Sequence, residues 1–188
     1  MKKVAFFDRD GTINEDPGYI YRPEDFKFVP YVVNCMRRLK NLGYEFVIVT
    51  NQYGVAKGKF SLKASYTFSR KVQFELEKEG IKLTAILTCP HHPDGVVSKY
   101  AKVCNCRKPS GGLIEEYIYH NDVDYQKSLI VGNKLSDIKA GLNAGLRRGI
   151  LIGTDDDGAK IKDFSTFLMG NQVGFMFEHF ENYEKWTV

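Results

Sequence analysis

Short apolar runs alternate with segments of helical periodicity along most of the chain. The runs are Val4-Ala5-Phe6-Phe7, Phe46-Val47-Ile48-Val49, and residues 83–87, 128–131 and 149–152. Continuous apolar runs of this length are typical of strands that are buried on both faces of a parallel sheet. Their alternation with helices predicts an α/β fold with a doubly wound, mostly parallel sheet.

Helix boundaries follow from caps and breakers. The predicted helices cover residues 30–43, 61–80, 110–120 and 136–144. Pro30 is placed to start the first helix, and Ser61 and Ser110 are suitable N-caps for the second and third. The buried faces should carry the apolar residues at helical spacing, which are Val32, Cys35, Met36, Leu39, Tyr66, Val72 and Leu76. Residues 14–29 lack such a period and are long enough to fold over a site.

Length and composition predict one globular domain. The 188 residues, of which 43% are hydrophobic and 27% charged, suit a single domain over 1–188. A C-terminal extension, about 159–188, is aromatic; we expect an edge strand or a helix packed on the domain, with a dimer contact as the alternative. We expect a monomer.

Charge and hydropathy limit the classes of partner that the protein can bind. The net charge of +4 is not gathered into basic tracts, which suits a small anionic substrate better than a nucleic acid. No apolar run is long enough to span a bilayer, and Met1-Lys2-Lys3 leads directly into the first strand, which leaves no room for a signal peptide. We therefore expect a cytoplasmic protein with no membrane partner.

Two carboxylates follow the first apolar run directly, in Asp8-Arg9-Asp10-Gly11-Thr12. The carboxyl ends of the strands are where open α/β sheets bind ligands. Carboxylates two residues apart can share one divalent cation, and hard oxygen ligands suit Mg²⁺. The motif therefore predicts a magnesium site at this edge of the sheet.

Further polar residues fall at the same edge. Thr50 ends the second strand, and its hydroxyl could bind a phosphate oxygen. Lys108 precedes the third helix, where backbone N–H groups already favour anions. Gly132-Asn133-Lys134-Leu135-Ser136-Asp137 follows the fourth strand. Four polar motifs at one sheet edge predict a single phosphate-handling site.

A cysteine loop, about residues 89–106, lies before Lys108. It carries Cys89-Pro90-His91-His92-Pro93 and Cys104-Asn105-Cys106. One nitrogen and three sulfur ligands fill the tetrahedral shell of a structural Zn²⁺. Cys89, His91, Cys104 and Cys106 are the predicted ligands, with His92 as the alternative to His91. Such a zinc site would brace the loop that leads into Arg107 and Lys108.

The order of these motifs resembles the haloacid-dehalogenase-like superfamily over roughly residues 3–153. The resemblance implies a Rossmannoid phosphatase fold with no large cap domain. It implies that Asp8 is the nucleophile, which forms an aspartyl-phosphate, and that Asp10 is the general acid and base. It also implies that Thr50 and Lys108 hold the phosphoryl group.

The same resemblance places Asn133 and Asp137 around Mg²⁺, with Asp8 and the backbone carbonyl of Asp10. The family usually has Asp where this chain has Asn133. An amide oxygen can ligate Mg²⁺ but lacks the charge. A protein that binds a sugar phosphate with weakened turnover is therefore kept as an alternative.

The cysteine loop resembles more narrowly that of the D-glycero-D-manno-heptose-1,7-bisphosphate 7-phosphatases, which act in bacterial surface heptose synthesis. Gly18-Tyr19 and Thr50-Asn51-Gln52 also match. This resemblance implies a small phosphorylated sugar substrate, whose C7 phosphate is removed. The implied substrate-binding residues are Thr50, Asn51, Gln52, Arg107, Lys108 and Lys134, of which Arg107 and Lys108 would also read the remote C1 phosphate.

The chain departs from that pattern at Tyr53 and Lys57, where Ser and Arg are commoner, and at 110–112, which lacks the usual second proline. Histidinol-phosphate phosphatases share the aspartate motif and a zinc loop and are the alternative family. A polynucleotide 3′-phosphatase would share the aspartates without the zinc loop.

Overall fold

Six parallel strands form one sheet in the computed structural model, which describes residues 1–152 and 175–178. The strands are β1 (Lys3–Phe7), β2 (Tyr44–Asn51), β3 (Leu83–Cys89), β4 (Leu129–Gly132), β5 (Arg148–Ile152) and β6 (Phe175–Glu178). Their order across the sheet is β3-β2-β1-β4-β5-β6, so that β1 lies between β2 and β4. The aspartate motif therefore follows a central strand.

Among the described residues, four α-helices cover both faces of the sheet: α1 (Val32–Asn41), α2 (Leu62–Lys78), α3 (Gly112–His120) and α4 (Leu135–Asn143). A short 3-10 helix lies at Pro23–Asp25. Ala5 and Phe7 of β1 join the core cluster that contains residues of α1 and α2. Val4 and Phe6 join the opposite cluster, with residues of α3 and α4. The predicted doubly wound fold is confirmed. None of the described helices is long and apolar enough to cross a membrane.

Local signals placed some helix starts well and others poorly. Ser61 caps α2 as predicted, because its side chain accepts the backbone N–H of Ala64. Pro30 does not start α1. The helix begins at Val32, after Tyr31 adopts the left-handed conformation with φ 65°. Ser110 does not cap α3, whose N-cap is Gly111.

The register of α2 corrects one predicted core residue. Tyr66 is 50% exposed, whereas Phe68 is fully buried with Val72 and Leu76. The helix turns 100° per residue, so a shift of two positions moves a side chain across the helix.

The C-terminal extension contributes at least one strand. Residues Phe175–Glu178 pair in parallel with β5 and form an edge of the sheet. This agrees with the edge-strand prediction for that segment. The remaining aromatic residues of the tail, including Phe164 and Trp186, lie outside the described residues.

Candidate active site

A cavity of about 480 Å³ opens at the carboxyl edge of the sheet. It is lined by the ends of β1 and β2, the loop before α3 and the start of α4. Its lining residues are Asp8, Asp10, Asp16, Tyr19, Ile20, Thr50, Asn51, Gln52, Tyr53, Gly54, Phe60, His92, Arg107, Lys108, Pro109, Lys134, Ser136 and Asp137. All the predicted catalytic and substrate-binding residues line this cavity. The segment predicted to fold over the site contributes Asp16, Tyr19 and Ile20 to it.

Lys108 joins two carboxylates at the base of the cavity. Its Nζ lies 2.6 Å from an oxygen of Asp8 and 2.6 Å from an oxygen of Asp137, and it donates to the carbonyl of Val49 at 2.7 Å. All three charged side chains are at least 90% buried. One ammonium thus serves two carboxylates in a desolvated position.

This arrangement shifts the pKa of each partner. Burial raises the pKa of Asp8 to about 7, with Asp137 and Asp10 adding to the effect and Lys108 opposing it. Burial alone would lower the pKa of Lys108, but Asp137 and Asp8 together raise it. The lysine therefore stays charged, and the Asp8 carboxylate carries an electrostatic penalty that a bound cation can relieve.

The Asp10 carboxylate is held by four donors. One oxygen accepts from Arg9 Nε at 2.8 Å and Asn14 Nδ2 at 3.1 Å. The other accepts from Arg9 Nη2 at 2.9 Å and Gln52 Nε2 at 2.7 Å. With its side-chain oxygens used in this way, Asp10 can offer a metal its backbone carbonyl rather than its carboxylate.

Arg9 was missed as a site residue. Its side chain is fully buried, its guanidinium stacks on Phe68 at 4.8 Å, and its Nη1 donates to Ser69 Oγ at 2.9 Å. A forked contact to a carboxylate fixes orientation as well as charge. Arg9 thereby ties Asp10 to α2. The only sequence signal was a basic residue between two aspartates.

Asn51 and Thr50 serve mainly to shape the cavity. Asn51 bonds the backbone of Lys108 twice: Nδ2 donates to the carbonyl and Oδ1 accepts the N–H, each at 3.0 Å. Thr50 Oγ1 accepts from Gln52 Nε2 at 2.8 Å, which leaves its hydroxyl proton available to a ligand. β2 therefore fixes the position of Lys108 and presents a hydroxyl beside it.

Two residues of the segment that follows β4, Asn133 and Asp137, contact different parts of the site. Asp137 uses one oxygen for Lys108 and accepts the Lys134 backbone N–H with the other at 3.0 Å. Asn133 lies against the aspartate loop, where Thr12 Oγ1 donates to its Oδ1 at 3.4 Å. Gly11 has φ +80°, and a Cβ there would overlap the Asn133 amide. The packing thus brings the Asn133 amide against the loop that carries Asp10.

Several oxygen atoms of the site are of the type that binds magnesium. The second carboxylate oxygen of Asp8, the carbonyl of Asp10 and the amide oxygen of Asn133 are hard ligands near one loop. Asp137, which was also predicted to ligate the ion, would support the site through Lys108, because its two oxygens already accept from Lys108 and the Lys134 backbone. The donor set carries one carboxylate charge fewer than it would with Asp at 133.

The cysteine loop gathers one imidazole and three thiols. The ligand atoms of Cys89, His91, Cys104 and Cys106 all lie within 4.8 Å of one another. Cys106 Sγ is 3.0 Å from Cys89 Sγ, 3.2 Å from Cys104 Sγ and 3.2 Å from His91 Nδ1. These spacings are a little shorter than the roughly 3.7 Å edges of a tetrahedron with 2.3 Å metal–sulfur bonds. The set can therefore bind a metal ion with small adjustments, and its chemistry suits zinc.

His92 lies outside this cluster. Its Nδ1 accepts the backbone N–H of Asp94 at 3.1 Å, and its ring lines the cavity beside Tyr53. Arg107, which directly follows Cys106, contacts the carbonyl of His91 at 3.4 Å through Nη1. The cysteine loop thus borders the cavity directly.

Comparison with known proteins identifies phosphatases that are similar to this chain. A family model described as polynucleotide kinase 3 phosphatase matches residues 3–176. The D-glycero-alpha-D-manno-heptose-1,7-bisphosphate 7-phosphatase of Photorhabdus laumondii is 41% identical over 152 residues, which are 81% of this chain and 83% of that protein. The D-glycero-beta-D-manno-heptose-1,7-bisphosphate 7-phosphatase of Escherichia coli K12 is 39% identical over 80% of this chain and 79% of its own length.

Solved structures agree with these matches. A putative HAD-like phosphatase from Mesorhizobium loti superposes with a TM-score of 0.76 at 36% identity, covering 80% of this chain and 72% of that chain. The D,D-heptose 1,7-bisphosphate phosphatase from B. bronchiseptica, solved with magnesium and phosphate, gives a TM-score of 0.75 at 28% identity and covers 98% of this chain and 97% of that one.

Proposed function

We propose a hydrolase function on the premise that this chain belongs to the haloacid-dehalogenase-like phosphatases, since the family model described as polynucleotide kinase 3 phosphatase matches residues 3–176 and the relatives above are phosphatases. Its reaction is the removal of the C7 phosphate from D-glycero-D-manno-heptose 1,7-bisphosphate, on the route to bacterial surface heptose. The relatives that carry this activity in their names support the substrate. The buried Asp8–Lys108 pair at the base of the cavity carries the proposal, since it presents a carboxylate nucleophile beside a fixed cation.

Asp8 begins the reaction by attacking the phosphorus of the C7 phosphate. The bond between phosphorus and the sugar oxygen breaks, and Asp10 gives its proton to that oxygen. Water then attacks the phosphorus of the aspartyl-phosphate, Asp10 takes the water proton, and inorganic phosphate leaves with Asp8 restored. The hydroxyl of Thr50 binds a phosphoryl oxygen, and the positive charge of Lys108 stabilises the phosphoryl group throughout.

Magnesium would be held by Asp8, the Asp10 carbonyl and Asn133. When bound, it neutralises the repulsion between the Asp8 carboxylate and the phosphate. Lys108 contributes positive charge to the same region from within the protein.

The cysteine loop would hold one structural Zn²⁺ through Cys89, His91, Cys104 and Cys106. Closing this loop around a metal restricts the backbone that leads into Arg107 and Lys108. Its function would be to fix those cations before the substrate arrives.

The cavity suits a small substrate with two phosphates. Its volume of about 480 Å³ falls in the range of small-molecule sites. Lys108 is already paired with two carboxylates, whereas Arg107 and Lys134 also line the cavity and can meet a second phosphate. We expect a monomer that acts in the cytoplasm, with no nucleic-acid or membrane partner.

The experiment is phosphate release from a substrate panel with Mg²⁺ in excess. The panel contains both anomers of heptose 1,7-bisphosphate, histidinol phosphate and a 3′-phosphorylated oligonucleotide. We expect kcat/KM to be highest for one heptose bisphosphate anomer. A preference for histidinol phosphate or the oligonucleotide would contradict the proposal.

Asn133 favours a second candidate, a protein that binds the sugar phosphate without efficient turnover. The amide removes one negative charge from the metal site, and affinity for Mg²⁺ should fall with it. Tight binding of heptose bisphosphate by calorimetry, without phosphate release at any Mg²⁺ concentration, would select this candidate.

A further inference from the structure

The outer wall of the cavity is built from three rings and one guanidinium. The Tyr53 ring centre lies 5.5 Å from that of Tyr19 and 5.6 Å from that of His92. The Arg107 Cζ atom lies 5.1 Å from the centre of the Tyr53 ring. Tyr53 is therefore the residue that all three others contact.

Arg107 has few polar contacts among the residues that the structure describes. Within the part of the chain that the structure describes, no ion pair joins it to Asp or Glu, and its hydrogen bond to the His91 carbonyl is long, at 3.4 Å. Lys108, one residue later, is paired with both Asp8 and Asp137. Arg107 thus offers a charge that no carboxylate within residues 1–152 and 175–178 neutralises, and few contacts fix its direction.

The Tyr53 ring supplies that restraint. A guanidinium over an aromatic face keeps its N–H groups free at the edge, because the interaction uses the π-face and no donor. Tyr53 in turn contacts Tyr19, whose ring centre lies 5.5 Å away. Burial and the neighbouring Tyr19 raise the pKa of Tyr53, so its hydroxyl stays neutral near pH 7.

We infer that Tyr53 is a positioning residue that holds Arg107 toward the cavity and so determines the preference for a doubly phosphorylated substrate. The inference rests on the proposed function, since the second phosphate is what Arg107 would bind. Tyr53 acts through Arg107 and takes no part in the bond-breaking step. A smaller side chain at 53 would leave the guanidinium to sample several orientations.

The test compares KM and kcat for heptose 1,7-bisphosphate and the matched heptose 7-phosphate. Tyr53→Leu should raise KM for the bisphosphate roughly three- to thirtyfold, as loss of a cation–π contact predicts. KM for the monophosphate and kcat for both should change less than about twofold, since Leu spares the groups at the base of the cavity. Tyr53→Phe keeps the ring and should behave like the wild type.

A double-mutant cycle separates positioning from direct contact. In an Arg107→Ala background, Tyr53→Leu should have little further effect on the bisphosphate KM. The control is Tyr119→Leu on α3, where the ring is 85% exposed and lies outside the cavity.

Two results would overturn the inference while leaving the proposed function intact. One is an equal rise in KM for both substrates, and the other is an effect of Tyr53→Leu that is undiminished without Arg107. If the wild type releases no phosphate from the bisphosphate, both the inference and the proposed function fail. If Tyr53→Leu does not fold, Tyr53→Phe and Tyr53→His replace it in the test. The smaller ring of Tyr53→His should give a bisphosphate KM between those of the wild type and Arg107→Ala. A wild-type KM for Tyr53→His would contradict the inference.

Discussion

Replacing Asp8 with Asn should stabilise the metal-free protein at pH 8, although it removes the nucleophile. Asp8 is 7% exposed and shares Lys108 with a second carboxylate. Burial raises its pKa from 3.8 to about 7. Because the folded-state pKa is the higher one, the associated stability is present at low pH and is lost as pH rises through about 7.

The size of the effect follows from that shift. A rise of about three pK units at roughly 1.4 kcal/mol each penalises the ionised wild type by about 4 kcal/mol at pH 8. That net shift already includes the opposing attraction of Lys108, and the neutral amide, like the protonated carboxyl, still offers Lys108 an oxygen acceptor. The expected gain in the free energy of unfolding is therefore about 4 kcal/mol, which corresponds to roughly 8–16 °C in Tm for a chain of this length.

The assay is thermal unfolding of the metal-free wild type and Asp8→Asn at pH 8 and pH 5. At pH 5 the gain should fall to less than half, because about two of the roughly three pK units of the penalty are gone. Excess Mg²⁺ at pH 8 should raise Tm for the wild type and not for Asp8→Asn. Glu116→Gln, which removes an exposed carboxylate on α3, is the control. A clear loss of stability in Asp8→Asn at pH 8, or a gain independent of pH, would refute the reasoning.

Three further predictions concern other parts of the site. Asp10→Asn should lower kcat by about 10²–10⁴-fold in a phosphate-release assay, because it removes the proton donor. Arg9→Lys should lower kcat more than it raises KM, because Arg9 positions Asp10. If Arg9→Lys changes only KM in that assay, Arg9 does not position Asp10. Cys106→Ser should release the zinc, so elemental analysis of washed wild type should find about one zinc per chain and of the variant much less; zinc-free wild type with freely titrating thiols would exclude the zinc site. Asn133→Asp should lower the Mg²⁺ needed for half-maximal activity or raise the maximum rate, and a Mg²⁺ titration that changes in neither respect would show that residue 133 does not contact the metal.

The fold could be predicted because each central strand is a continuous apolar run. The ends of the predicted strands lie within two residues of the ends of β1 to β5. Strands that are buried on both faces are mostly apolar along their length, so the apolar run marks their extent. The start of α1 was misplaced because Tyr31 adopts a left-handed conformation that no local signal requires. The edge strand β6 was left open as strand or helix, because an aromatic segment at an edge lacks a clear period.

The candidate site was predictable where its parts follow strand ends in order. Asp8, Thr50, Lys108 and Asp137 line one cavity, as expected from parallel strands that end at one edge. The preference for His91 over His92 as the metal ligand is also supported. His91 belongs to the cluster with Cys89, Cys104 and Cys106, and His92 does not.

The support around Asp10 was not predictable, because it depends on contacts distant in sequence. Gln52 reaches Asp10 from β2, and Ser69 reaches Arg9 from α2. A charged residue in a polar loop is expected to be exposed unless a partner is known. The stacking of Arg107 on Tyr53 likewise joins two loops and is visible only in the folded chain.

The measurement that tests the central claim most directly is ³¹P NMR of heptose 1,7-bisphosphate during turnover, with wild type and Asp8→Asn in parallel. The wild type should release one phosphate per sugar, and the C7 signal should disappear while the C1 signal remains. Asp8→Asn should leave both signals unchanged over the same time, because an amide cannot form the phosphoryl-enzyme. Loss of the C1 signal, or full activity in Asp8→Asn, would contradict the account.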